Sequence, residues 1–309
     1  MGHRLLIVGG AGYLGGALTD ILIDSDHDFM IYDSLLYEDS FRKPVPFTNG
    51  DVRDRAKLAP WLKWADSVIW LAGIVGEPAC REHPELATDI NLDAVKFLSE
   101  EYSGRIVFTS TCSVYGAQDD ILDETSPTGP LGAYAERKLE AERLFASKNA
   151  IIFRLGTLFG LGDEYSRIRL DIVLNTLTAK AHQDGRIGVF GGKQYRPLLH
   201  VQDAAWAIYE AATGKETGVF NLHAANVTIA ELAFAVQQHY PGLVVEHNEL
   251  SKEDSRNYRV TSKKARDKLG FRPVMSIDDG IRELKALLES GRIANINDAR
   301  YNNQRWLAR

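Results

Sequence analysis

Cysteine is nearly missing from this chain. Cys80 and Cys112 are the only two in 309 residues, too few to frame a disulfide-stapled fold and in keeping with a reducing compartment. No apolar run reaches the ~18 residues of a membrane span. Met1-Gly-His-Arg leads into only four apolar residues, Leu5-Leu6-Ile7-Val8, before glycine, which does not read as a signal peptide. Positive charge is also scarce: 36 Lys+Arg against 42 Asp+Glu leave a net charge of −6. There is no basic footprint for nucleic acid, so any anionic ligand must be held by local groups. The eight histidines show no H-x-x-x-H spacing and the cysteines no C-x-x-C, so no metal site is indicated. What remains is ordinary. Hydrophobic residues make up 45% and charged ones 25%, enough for a sizeable core in one large domain or two intimate ones. The expectation is a soluble, cytoplasmic globular protein with a small-molecule partner.

Strand-like runs alternate with helix-like spacing. Leu5–Val8, Phe29-Met30-Ile31-Tyr32, Ser67-Val68-Ile69-Trp70-Leu71, Arg105-Ile106-Val107-Phe108 and Ile151-Ile152-Phe153-Arg154 are short and apolar. They stop at Gly9, Asp33, Ala72-Gly73, Thr109-Ser110 and Gly156. Residues 17–23, 56–62, 90–101 and 134–146 carry helical spacing between them. Such alternation predicts an α/β fold, a doubly wound parallel sheet with helices on both faces. Beyond Leu155 the pattern loosens into glycine-rich turns (Gly185, Gly188, Gly191, Gly192) and helices near 229–239 and 277–290. Residues 295–309 are polar and aromatic, and read as a tail or an interface arm.

Gly9-Gly10-Ala11-Gly12-Tyr13-Leu14-Gly15 follows the first strand and opens a helix. Glycine suits a tight turn that a pyrophosphate must approach, and the helix N-terminus behind it offers free N–H groups and a favourable dipole. Asp33 ends the next strand 18 positions after Gly15, where a carboxylate binds ribose hydroxyls and repels a 2′-phosphate. NAD is therefore expected in preference to NADP. Tyr134 and Lys138 stand four residues apart, on one helix face. A cation near a phenol lowers its pKa toward working pH, which suits an acid/base at a sugar hydroxyl. Thr109-Ser110-Thr111-Cys112-Ser113-Val114-Tyr115-Gly116 ends a strand with hydroxyls shortly before that tyrosine.

With these residues the sequence resembles the extended short-chain dehydrogenase/reductase family, in its NAD-dependent nucleotide-sugar epimerase/dehydratase branch. The motifs are Gly9–Gly15, Asp33, Gly50-Asp51-Val52, Leu71-Ala72-Gly73, Asn91, Ser110-Thr111-x-x-Val114-Tyr115-Gly116, Tyr134-x-x-x-Lys138 and Arg196-Pro197-x-x-His200-Val201-x-Asp203. The resemblance implies a Rossmann-type NAD-binding domain over 1–155 and a smaller, irregular, mainly substrate-binding region over 156–309. That boundary is approximate, with the chain crossing back around 197–222. It makes Thr111 the catalytic Ser/Thr, Tyr134 the acid/base, and Lys138 the group that binds the nicotinamide ribose and depresses the tyrosine pKa. Gly9, Gly12, Tyr13, Leu14, Gly15, Asp33, Asp51, Val52, Leu71, Ala72 and Gly73 border the cofactor.

On the substrate side the resemblance implies Thr111, Cys112, Ser113, Thr157, Arg196 and Arg256, the two arginines reaching a diphosphate. Glu77, Pro78 and Arg81 border the sugar, and His200 is structural. Two positions depart from the branch. Cys112 and Ser113 stand where dehydratases carry Asp-Glu, and Thr157 stands where the branch usually has a diphosphate-binding Asn. Without the Glu, 4,6-dehydration lacks its base. The expected function is an NAD-dependent epimerase acting at C4 of a nucleoside-diphosphate sugar, as a homodimer built on residues 90–101 and 134–146. The alternatives are a 4-keto nucleotide-sugar reductase or dehydrogenase, a dehydratase, and a non-catalytic NAD-sensing regulator.

Overall fold

Alternation along the first strand decides how the molecule is layered. Leu5 and Ile7 turn to one side of the sheet, Leu6 and Val8 to the other, and all four are fully buried. A strand buried on both faces belongs inside a parallel sheet sandwiched by helices. A computed structural model describes residues 2–163, 165, 167–249 and 256–309. Its main sheet has seven strands: β1 (Arg4–Val8), β2 (Asp28–Asp33), β3 (Phe47–Asn49), β4 (Ser67–Trp70), β5 (Arg105–Thr111), β6 (Ala150–Leu155) and β7 (Gly218–Leu222). Their order is β7-β6-β5-β4-β1-β2-β3, and every pairing is parallel. The doubly wound expectation is met.

On one face Leu6, Val8, Trp70 and Phe108 pack with Leu58, Leu62, Val95, Leu98 and Ala141. Those partners come from the helices Arg55–Trp64, Ala94–Glu101 and Ala133–Leu144. On the other face Leu5, Ile7, Val107, Phe153 and Phe220 pack with Leu18, Leu22, Ala204 and Ile208. These partners belong to the helices Tyr13–Ile23 and Val201–Thr213. Each large apolar side chain so buried contributes roughly 1.5–3 kcal/mol. Strand β7 and the helix Val201–Thr213 are supplied by the second half of the chain.

The strand order reverses between β1 and β4, where an open α/β sheet forms a crevice at its C-terminal edge. Over that edge lies a second layer. It has a three-stranded sheet (Thr157–Phe159, Tyr195–His200, Ala225–Thr228), two strand pairs, and the helices Val173–Asp184, Ile229–His239 and Ile277–Glu289 with their own apolar core.

Residues 295–309 are not a free tail. The 3₁₀ turn Ala299–Tyr301 and the helix Asn303–Leu307 lie against the rest of the molecule. Tyr301 O accepts from Leu170 N, Asn303 N donates to Asp171, and Trp306 Nε1 donates to Leu36 O at 2.6 Å. The partly buried apolar side chains of this polar stretch pack on two separate cores, Leu307 on one and Ile296 and Tyr301 on the other.

Candidate active site

The crevice opens into a cavity of about 670 Å³ between the sheet edge and the second layer. Its floor is the turn after β1. Gly9 has φ +84, donates its N–H to Tyr32 O, and would bring a Cβ within 2.4 Å of Ala72 N. Only glycine fits there. At Gly12 a Cβ would meet nothing but Gly9 O, at 3.5 Å, so the outer side of the turn is a cradle left open for a ligand. Gly12 also caps the helix Tyr13–Ile23 with no side-chain cap, leaving its first N–H groups to an anion. Tyr13, Leu14 and Gly15 line the same floor, with Tyr13 tied by its hydroxyl to Gly160 O.

Asp33 sits beside this turn. Its Oδ2 accepts from Ala11 N at 3.0 Å and its Oδ1 from Leu35 N at 2.7 Å. Burial pushes the carboxyl up from its ordinary value, and those two backbone bonds work against that rise. Asp51, Val52, Leu71, Ala72 and Gly73 complete the wall, although the Asp51 carboxylate is engaged by Arg53 at 2.7 Å and held low by it. Open glycine turn, helix end and oriented carboxylate fit an NAD molecule.

Thr111, Tyr134 and Lys138 all face the cavity. Thr111 Oγ1 donates to Ser113 Oγ at 3.0 Å, and Ser113 Oγ lies 3.3 Å from the Tyr258 hydroxyl. Lys138 Nζ donates to Thr109 O at 2.8 Å and stands 4.8 Å over the Phe108 ring. Burial lowers the ammonium to about 8. The phenol of Tyr134 moves the other way: burial, then the neighbouring Cys80, push it up. The lowered phenol expected from the Tyr-x-x-x-Lys spacing is therefore not found in the protein alone. Desolvation of the phenol outweighs the favourable charge of Arg169 nearby.

Cys112 and Ser113, expected on the substrate side, do not line the cavity. Cys112 is fully buried behind the wall, its Sγ against Arg154 O at 3.2 Å, and burial pushes its thiol up. Ser113 is buried too, behind Thr111. Neither lines the cavity, because after β5 the chain enters a 3₁₀ turn, Cys112–Tyr115, that carries both inward. Thr157, Arg196 and Arg256 do line it. Arg196 Nη1 donates to Arg256 O at 2.6 Å, while Asp254 and Ser255 lie outside the described residues. Pro78 is on the wall and Arg81 is exposed away from it. His200, buried and 3.0 Å from Glu283, caps the helix Val201–Thr213 and is structural.

Other wall residues carry no signal in the periodicity. Arg167 lies 4.0 Å over the Tyr37 ring, and Arg169 pairs with Asp171 at 2.8 Å. Asn303 of the C-terminal helix donates to Val75 O at 2.9 Å. The alternation Arg167-x-Arg169-x-Asp171 is the one hint the sequence offers. Among the described residues there is no group of His, Cys, Asp and Glu that could hold a metal, and no helix is long and apolar enough to cross a membrane.

Residues 5–222 match the model of the NAD dependent epimerase/dehydratase family, and the chain belongs to that family. A putative UDP-glucose 4-epimerase of Methanocaldococcus jannaschii is 26% identical, over 91% of this chain and 96% of its own. UDP-glucuronic acid decarboxylase 5 of Arabidopsis thaliana is 24% identical, over 90% and 87%. The structure of MoeE5 with UDP-glucose and NAD superposes with a TM-score of 0.80 at 25% identity, covering 94% of this chain and 99% of that one. NAD is the cofactor of this family, and the coarse class, an NAD-dependent nucleotide-sugar enzyme, follows from membership.

Proposed function

We propose that the protein is an NAD-dependent epimerase that inverts C4 of a nucleoside-diphosphate sugar through a transient 4-keto sugar. One observation carries the reading. Thr111, Tyr134 and Lys138 share a cavity with the glycine turn and Asp33, while the two residues after Thr111 hold no carboxylate and turn inward. Hydride chemistry has its groups and water elimination at this turn does not. The similarity to a putative UDP-glucose 4-epimerase supports the same choice.

NAD, when bound over the glycine turn and Asp33, would supply the hydride acceptor and donor for the sugar carbon. The chain's own residues handle the proton and the geometry. Tyr134 removes the proton of the C4 hydroxyl and later gives it back to the ketone oxygen. Thr111 holds that oxygen through its hydroxyl. Lys138, in its charged form, binds the nicotinamide ribose and favours the phenolate. Arg196 and Arg256 hold the substrate diphosphate, for which arginine's planar fork is suited. Thr157 supplies a hydroxyl where the branch has an amide. The walls exclude water while the ketone turns over. The reading also carries a homodimer built on residues 90–101 and 134–146, which sedimentation of the purified protein checks.

The test is to incubate the enzyme with UDP-glucose, dTDP-glucose and GDP-mannose without added NADH. The expected product is a C4 epimer of unchanged mass that keeps a deuterium placed at C4. A product lighter by one water overturns the reading in favour of dehydration. In a parallel incubation with NADH added, its stoichiometric consumption, or loss of the label in the first, assigns a net reductase instead. Tyr134→Phe is expected to keep NAD binding and to lose ~10²–10⁴-fold in turnover.

A further inference from the structure

Glu77 opens the short helix Glu77–Glu82 directly after Gly76, whose φ is +102. It therefore ends the loop 71–76 that borders the cofactor's side of the cavity. Its carboxylate turns to the helix Ala133–Leu144. Oε2 accepts from Tyr134 N at 3.0 Å and Oε1 from Ala135 N at 3.2 Å. Helix starts ordinarily satisfy such N–H groups with a Ser, Thr, Asp or Asn of their own. Here the cap is Gly132, which has no side chain to offer. A Cβ on Gly132 would lie 2.2 Å from Glu77 Oε2, so the glycine clears a seat that a carboxylate from another element fills.

We propose that Glu77 is a positioning residue of the reaction: its carboxylate fastens the backbone of Tyr134 to the loop beside the nicotinamide, so that phenol and cofactor keep one register. The proposal rests on Tyr134 being the acid/base. It has an electrostatic side. A bare helix start favours a nearby anion, and the Glu77 carboxylate cancels that pull. The other groups acting on the phenol are Cys80, Arg169 and Tyr258, with Lys138 one turn along on the same wall. Of these, Arg169 lowers the phenol and Glu77 raises it, so neutralising Glu77 removes one opposing charge, while Arg169 keeps its pairing with Asp171, and ionisation of the phenol is eased.

The experiment needs no substrate. Tyr134 is replaced by 3,5-difluorotyrosine, whose more acidic phenol brings the titration into an accessible range, and the NAD-loaded protein is followed by fluorine NMR. Glu77→Gln is expected to move the midpoint down by about one pH unit, while Glu77→Asp, which keeps the charge, stays close to the parent. Should Glu77→Gln fail to fold, Gly132→Ala unseats the carboxylate and is expected to move the midpoint in the same direction. A midpoint that stays put or rises in these variants overturns the proposal. That result counts against Glu77 alone, whereas undiminished turnover by Tyr134→Phe counts against the acid/base reading.

Discussion

Asp33 shows how one side chain is committed before any ligand arrives. Each carboxylate oxygen already accepts one backbone N–H, which fixes its direction and leaves further lone pairs for the ribose hydroxyls. A 2′-phosphate would meet a fixed negative charge that cannot swing away. Asp33→Ser is expected to erode the preference for NAD over NADP by tenfold or more, about 1.4 kcal/mol, as read by calorimetric titration with both cofactors. An unchanged preference would mean that other residues make the choice. Cys112 teaches the reverse lesson. It occupies a functional position in the motif, yet it is sealed behind β5 with its thiol against a carbonyl.

At the level of the element, His223 pins the end of β7 to the segment before the helix Lys263–Leu269. Its Nδ1 lies 2.6 Å from Ser262 Oγ, which also accepts from His223 N at 2.9 Å. Burial, helped by the charge of Arg266, lowers the ring to about 4 from its usual 6.5. Between those values the unfolded chain binds the proton more tightly than the folded one. The contribution is therefore complete above about pH 6.5 and is lost as the pH falls through about 4, a change on the order of 3 kcal/mol. Denaturant midpoints measured between pH 7 and 4 are expected to decline, and His223→Gln to flatten the part of that slope above pH 5. A slope untouched by the substitution would place its origin in carboxylates elsewhere.

Elements also mark where the sequence could and could not be read. The strands β1, β4, β5 and β6 were legible because they are apolar on both faces and stop at glycine or hydroxyl residues. The glycine turn was legible because close backbone approach admits one residue type. Tyr134 and Lys138 were legible as a spacing, but the direction of the tyrosine's pKa was not, since burial is a property of the assembled walls. Glu77 read as a sugar neighbour, and its seat on the helix Ala133–Leu144 depends on the empty place at Gly132. Arg167, Arg169 and Asn303 reach the cavity only through tertiary folding. The last helix, Asn303–Leu307, is a single turn or so, too short for periodicity to reveal.

For the whole molecule, the C-terminal segment acts as a tie across the cavity mouth. Asn303 bonds the loop after β4 at Val75, Trp306 bonds the loop after β2 at Leu36, and both loops flank the place of the cofactor. Each such half-buried bond is worth roughly 0.5–1.5 kcal/mol. Deletion of residues 295–309 is expected to leave the sheet folded by circular dichroism and to speed NAD dissociation about tenfold, measured by displacement of bound NADH fluorescence. An unaltered rate would reduce the segment to a packing role.

The placement of β7 at the edge of the sheet also has a consequence during synthesis. As the nascent chain leaves the ribosome, β6 and the helix Tyr13–Ile23 emerge long before the partners that cover them, β7 and the helix Val201–Thr213. Until residue 222 is out, the sheet presents an unpaired apolar strand along one border, the kind of surface that recruits a second incomplete chain. A chain stalled before residue 222 is therefore expected to be the aggregation-prone species, as release of truncated nascent chains would show.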